Sequence, residues 1–542
     1  MSWNLGGPAD LVVLGARIRT LDPSLPAAEA LAARRGRITA VGDRAEVRAQ
    51  IGRGTEVLDG RGMCLVPGLI DAHAHPVWGA ELAVGVDLGE ITDMAELVAA
   101  LGAHARRLGP DEWVRGRNLR YEVFGGRPID NEAIDRAVAG RPALLLCYDL
   151  HTAVATPRAL ALAGLDAPRD FGDASTAVSR DGGLTGELRE PSAYRPVLAV
   201  AGEPGEDPPA RRVARVLRDF ARAGLTGAHV MDGTESTLRL LRELERSGEL
   251  SSRLVVALWQ EPAASDEDIA RAVDLSREHG RRWRCGMVKL FVDGVVETGT
   301  AWLAERDCCG GGRASFWPDP ARYREVVGRF ASAGIACASH AIGDRAVRAA
   351  LDAYEAAPVG SPDRDRAPHR IEHLEIVADD DIERLAADGL ALSMQPVYLR
   401  YRAADGRDPW TSRLHPHQVT RGFRLGEMLA AGARIALGSD WPVAPFDPRL
   451  GMAWARLRRP PGVPDAPVLE PEQRLTGLQA LHGYTTAAAA AAGETRLGRI
   501  VVGHRADLTG FAADPVLTGA DELVDLPVRL TVVDGEVVHH SD

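Results

Sequence analysis

Through the middle of this sequence, short apolar, β-branched segments alternate with longer Ala/Leu/Arg/Glu segments of helical period. ARRVARVLRDFARAG is followed by LTGAHV, and RYREVVGRFASAG by IACASH. A strand of that kind, buried on both faces and joined to the next by a helix, belongs to a parallel sheet. The extent of this rhythm suits a parallel barrel, and a (β/α)8 barrel is expected over residues 67–492. The stretch from about 78 to 200 keeps the rhythm poorly and reads as an insertion after the first barrel strand, where barrels carry substrate-binding elaborations.

The two ends read differently. From Asp10 to Val66, LVVLGARIRTL, RITAVG and EVLDG are separated by turn residues. Near the C-terminus LGRIVVGHRADLTGF and VRLTVVDGEVVHH are again strand-rich. This is antiparallel patterning. Residues 1–66 and 493–542 are therefore expected to combine into one small β-sandwich, giving an α/β chain with a barrel, a sandwich and an insertion.

Bulk properties narrow the function. The chain has 542 residues and 45% hydrophobic residues, enough for a large core. The opening MSWNLGGPADLVVLGARI has neither a basic start nor a long apolar run, and no later segment reaches the roughly 20 apolar residues that span a bilayer. A cytoplasmic protein with no membrane partner is expected. A formal net charge of −12 without a basic cluster speaks against nucleic acid and for a small-molecule substrate. The six cysteines show no CxxC spacing, so neither a disulfide framework nor a structural zinc site is indicated.

The chemistry starts at LVPGLIDAHAHP, where His73 and His75 stand at i and i+2 after an apolar run. Both imidazoles then leave a strand end on one face, a spacing that grips one metal ion. An HxH pair alone is a weak signal. Four further residues stand near the ends of apolar segments: Lys289 in CGMVKLFVDG, His340 in IACASHAIGDRA, His373 in HRIEHLE and Asp440 in RIALGSDWPVAP. Singly, each histidine is more often a hydrogen-bonded core residue than a ligand. A whole set in order along a barrel is a far more specific signal.

With PGLIDAHAHP and this order of residues, the chain resembles the amidohydrolase superfamily. EWVRGRNLRYEVF, LLLCYDLHTAVATPRAL, GGLTGELRE and GSDWPVAPFDP extend the resemblance to its branch of large amidohydrolases related to N-substituted formamide deformylase. The resemblance covers nearly the whole chain. It implies that His73 and His75 bind one metal and His340 and His373 a second, with Asp440 beside both as ligand and proton acceptor for the attacking water. Lys289 would join as a carbamate, because an ammonium group cannot ligate a cation. The alternative for Lys289 is a partly exposed lysine paired with Asp293. Zinc, one or two ions per chain, suits these ligands, as do iron, manganese and nickel. His151, Glu190, Gln395, Tyr398 and Trp441 are the candidate substrate-binding residues, and Asp344 and Glu372 candidates for fixing imidazole tautomers. The branch often has Trp in place of Leu119 or Arg120, and Asn where this chain has Thr156. A homodimer follows from family habit alone.

The implied reaction is hydrolysis of a non-peptide carbon–nitrogen bond, of an N-formyl or N-acyl amine, by metal-activated water. Two relatives in chemistry compete with it: a deaminase and a cyclic-amide hydrolase. A purine-deaminase-like site carries Glu three residues after the fifth-strand histidine, where this chain has Gly343. A non-catalytic regulator that has kept its barrel is the reading of another class.

Overall fold

A computed structural model describes residues 7–541 apart from 83, 172, 203–206, 314, 360–366 and 388. The first six residues of the opening read above for a leader lie outside these. Eight parallel strands form the barrel: β1 (Leu69–Ala74), β2 (Leu225–Gly233), β3 (Arg253–Trp259), β4 (Trp283–Phe291), β5 (Ala336–Ala341), β6 (His369–His373), β7 (Leu390–Met394) and β8 (Ile435–Leu437). They neighbour one another in chain order. The seam between β8 and β1 is closed just beyond the strands, where Asp440 N donates to His73 O at 2.7 Å and His75 N to Trp441 O at 2.8 Å. Gly438 has to be glycine at this seam, because a Cβ there would come within 2.6 Å of His73 N.

The outer helices form for local reasons that agree with the barrel. Pro209–Arg222 starts with proline in its first turn and buries Val213, Leu217 and Phe220 on one stripe. Thr234 caps Glu235–Ser247 through a reciprocal hydrogen-bonded box, and Gly248 ends it in the left-handed conformation. Among the described residues no helix is long and apolar enough to cross a membrane.

The chain's two ends share one eight-stranded sheet. Its joint is the antiparallel pairing of Cys64–Pro67 with Leu508–Phe511, and its core mixes Leu11, Ile18 and Leu65 with Leu508, Leu530 and Val532. The expected pairing of distant segments is therefore found. Arg253 at the start of β3 locks this sheet to the barrel, donating to Asp507 and Asp534 at 2.6 to 3.1 Å.

Between β1 and the first barrel helix the insertion folds into its own six-stranded sheet, in the order Thr176–Arg180, Gly183–Arg189, Thr152–Ala155, Ala143–Cys147, Val114–Leu119 and Val86–Asp87. One of its apolar clusters runs on into Leu82 and Val443, residues that follow β1 and β8. The turn between Ala143–Cys147 and Thr152–Ala155 is thereby fixed over the C-terminal mouth of the barrel.

Candidate metal centre

The period-two alternation of a strand explains the floor of the site. On β6, Arg370 and Glu372 both point into the barrel and are fully buried. Arg370 donates to both oxygens of Glu372, at 2.9 and 3.0 Å, and also to His229 Nδ1 at 2.7 Å and Ala72 O at 2.8 Å. Removed from water, such an ion pair persists only when its remaining polar atoms are satisfied, as they are here. Glu372 Oε2 then accepts from His73 Nδ1 at 2.6 Å, which leaves the Nε2 lone pair facing up the barrel.

Parity would send His373 outward beside Ile371. Instead the backbone turns over: His373 has φ 75° and Leu374 φ 48°, which swings the imidazole into the mouth. Asp440 has φ 58° and Glu190 φ 67°. Left-handed backbone at a non-glycine residue costs about 1 kcal/mol or more. Such strain at three candidate site residues marks a geometry held by its surroundings rather than by local preference.

The candidate ligands converge. Ring centroids of His73 and His373 are 4.7 Å apart, those of His340 and His373 4.4 Å. Ligand atoms of His73, His373 and Asp440 all lie within 4.8 Å of one another. His75 Nε2 is 2.8 Å and His73 Nε2 3.4 Å from Asp440 Oδ1. Asp232, at the end of β2, approaches His75 Nδ1 at 3.3 Å, and Gln395 Oε1 accepts from His373 Nδ1 at 2.9 Å. His340 Nε2 donates to Gly294 O at 3.2 Å. Its Nδ1 therefore carries a lone pair, and that atom, like Asp440 Oδ1, is buried without a hydrogen-bond partner among the described residues. Imidazole nitrogens with their second nitrogen fixed, plus an orphaned carboxylate oxygen, are a donor set that fits a divalent cation.

Lys289 is 1% exposed, with Nζ 3.2 Å from His73 Nε2. Burial pulls its ammonium group down to about 8, against the opposing charges of Glu372 and Asp440. The exposed Lys289–Asp293 pair weighed from sequence is not formed. Asp293 instead accepts from the backbone N–H groups of Trp302, Ile342 and Gly343 at 2.8 to 3.0 Å.

Of the other candidates, Tyr398 donates its hydroxyl to Asp440 Oδ2. His151, carried by the insertion, sits with its ring 5.4 Å from that of His340. Its Nδ1 donates to Glu190 Oε2 at 2.6 Å, and Thr300 donates to Glu190 Oε1 at 2.6 Å. Burial alone would lower the imidazole's pKa, but the carboxylate contact carries it up to about 9. Glu190 and Gln395 thus stand behind His151 and His373. The Trp441 ring packs near Phe220 and Phe446, away from the cavity. Glu372 holds His73 rather than its neighbour His373, and Asp344 accepts from Ala304 N at 2.8 Å and, among the described residues, holds no imidazole.

Sequence reasoning missed Asp232, Arg370 and Asp71. Asp71 Oδ1 accepts from the N–H groups of His73 and Ser439, and its Oδ2 from Ser439 Oγ at 2.6 Å, which ties β1 to the loop bearing Asp440. Asp232 lies at a strand end like the histidines, a signal that was available. A cavity opens from His340, His373 and Asp440 toward Glu297, Glu375, Tyr401 and Trp410.

A parallel barrel with histidines and carboxylates gathered at its C-terminal mouth has the architecture of a barrel enzyme with its active site in the usual place. Residues 56–539 match the amidohydrolase family, and the chain belongs to that family. It is 29% identical over 540 residues to N-substituted formamide deformylase of Arthrobacter pascens, covering 97% of each chain. It is 28% identical over 520 residues to Protein LONG AFTER FAR-RED 3 of Arabidopsis thaliana, covering 92% of this chain and 86% of that one. An uncharacterized metal-dependent hydrolase from Pyrococcus horikoshii has the same fold, with a TM-score of 0.73 at 24% identity over 94% of this chain and 99% of the other.

Proposed function

We propose that the protein hydrolyses a non-peptide carbon–nitrogen bond, that of an N-formyl or N-acyl amine. The observation that carries this reading is the convergence of His73, His75, His340, His373 and Asp440 at the mouth of the barrel, where ligand atoms of His73, His373 and Asp440 lie within 4.8 Å of one another. His73 and His75 would hold one divalent ion, zinc by ligand type, and His340 and His373 a second. Lys289 would join them after its neutral amine adds carbon dioxide, releasing a proton and leaving a carbamate. When bound, such ions lower the pKa of water and polarise a carbonyl.

The chain's own residues supply the rest. Asp440, oriented by the Tyr398 hydroxyl, takes the proton of the attacking water and passes it to the departing nitrogen. His151, charged through Glu190 and with Nε2 turned to the cavity, donates to the carbonyl oxygen as negative charge develops there. Two observations favour amide hydrolysis over ring deamination. The first is the similarity to a formamide deformylase along the whole chain. The second is Gly343, where a Cβ would come within 2.1 Å of Trp302 O, which leaves no room for an acidic side chain.

The test is formate or carboxylate release from a panel of N-formyl and N-acyl amines by metal-loaded protein, with aminopurines and cyclic amides alongside. Release that disappears on chelation and returns with metal supports the reading. Turnover of the ring substrates alone overturns it.

A further inference from the structure

The cavity has two ends of different chemistry. Beyond the metal-side residues its wall is formed by Tyr148, Glu297, Glu375, Tyr401, Trp410 and Phe423. Tyr148 and Tyr401 stack with centroids 4.2 Å apart and interplanar angle 21°. Arg400 and Arg120 place guanidinium groups 5.5 and 5.9 Å from the Tyr401 ring, the kind of contact by which ring quadrupoles hold cations.

Two carboxylates interrupt that wall. Glu375 is 4% exposed; Trp410 Nε1 donates to its Oε2 at 2.7 Å, and Oε1 has no hydrogen bond among the described residues. Glu297 receives a long 3.5 Å contact from the Tyr148 hydroxyl and one from its own backbone N–H. Neither forms an ion pair among the described residues. Arg402 also borders the cavity, but its guanidinium pairs with Glu470 at 3.1 Å and stacks over Trp410 at 4.7 Å. Asp149 is fully engaged, accepting from Tyr121 and from His151 N. A pair of carboxylates placed in an enclosed, largely apolar space without a partner cation is costly unless a ligand brings one. Burial, and then the charge of Glu375, push the Glu297 carboxyl well above the usual carboxylate range.

We propose that the substrate carries a cationic group, a protonated amine or guanidinium, on the part remote from the scissile bond, held by Glu297 and Glu375 among the rings of Tyr148, Tyr401 and Trp410. This rests on the reading of the metal end as the hydrolytic centre. It narrows the substrate class to amides of diamines or of other base-bearing amines, and makes Glu297 and Glu375 the residues that select it.

The experiment compares N-formylcadaverine with N-hexylformamide, which has a methyl group where the first has an ammonium. In wild-type protein the ratio of kcat/KM values is expected to favour the charged member by at least about tenfold. Glu297→Gln and Glu375→Gln each shrink that ratio, and Glu297→Lys inverts it. Calorimetric binding of cadaverine against hexylamine to metal-loaded protein reads the same preference without turnover. Tighter binding of the diamine that weakens in Glu297→Gln supports the proposal even if neither formamide is hydrolysed, an outcome that would sink the deformylation reading alone. Equal ratios in wild type, together with equal binding of the two amines, overturn it.

Discussion

At the histidine end of the cavity nearly every polar side chain is held from behind; at the far end the carboxylates are held more sparsely. His73 leans on Glu372 and through it on Arg370, His373 on Gln395, His75 on Asp232 and His151 on Glu190. These supports come from barrel strands or from segments bolted to them. Glu297 and Glu375 sit on loops after β4 and β6; Trp410 holds one oxygen of Glu375, and Glu297 has the long Tyr148 contact. One end has the order that fixes reacting groups in place, and the other has the incompleteness of a surface shaped for something that arrives.

The largest effects should come from breaking the ordered end at its reacting groups. His73→Ala or Asp440→Asn should lower kcat on the order of a thousandfold, with loss of bound metal, in steady-state assays paired with elemental analysis. Next is the support beneath them. Gln395→Leu should leave the fold intact by circular dichroism and weaken metal affinity by roughly 10–100-fold in chelator competition. Arg370→Met should cost about 3–5 kcal/mol in chemical denaturation by stranding Glu372. Adding Glu372→Leu should restore much of that stability while activity stays low, because His73 has lost its partner.

The insertion's contribution is smaller. Glu190→Gln keeps a hydrogen bond to His151 but removes its charge partner, and should reduce kcat/KM on the order of tenfold. An unchanged value would remove His151 from the reacting set.

The opposite end of β6 is a control remote from the cavity. His369 Nδ1 accepts from Cys337 N at 3.0 Å and its Nε2 donates to Ala357 O at 2.9 Å, so only the neutral ring fits. Burial lowers its pKa from 6.5 to about 4. The unfolded chain therefore takes up the proton first. The stability this residue contributes is fully present above pH 6.5 and is lost as pH falls from there toward 4, by about 3 kcal/mol. His369→Gln should flatten that part of the stability curve.

The two ends also differ in how much of them the sequence reveals. LVPGLIDAHAHP exposes His73 and His75 because strand alternation puts both on one face, and Lys289, His340, His373 and Asp440 follow in barrel order. The shared sheet of the two termini was likewise legible from turn-separated strands. Glu372 was legible as a residue that fixes an imidazole, but not which one: it holds His73 across the barrel rather than its sequence neighbour His373. Trp441 sits in a telling motif, yet its ring points toward Phe220. The far wall draws on residues scattered from Tyr148 to Phe423, with no spacing that period or motif could disclose. Only folding brings them together.

Everything above turns on a metal-dependent hydrolytic centre at the ordered end. The most direct test is divalent metal per chain, by elemental analysis, measured on the same samples as formate release from N-formylcadaverine. One or two ions per chain are expected, lost with activity in the His73→Ala/His373→Ala double variant and after chelation, and recovered together in stripped wild type on adding zinc or manganese. Undiminished release from metal-free protein, or a chain that retains no divalent metal in any preparation, would contradict it.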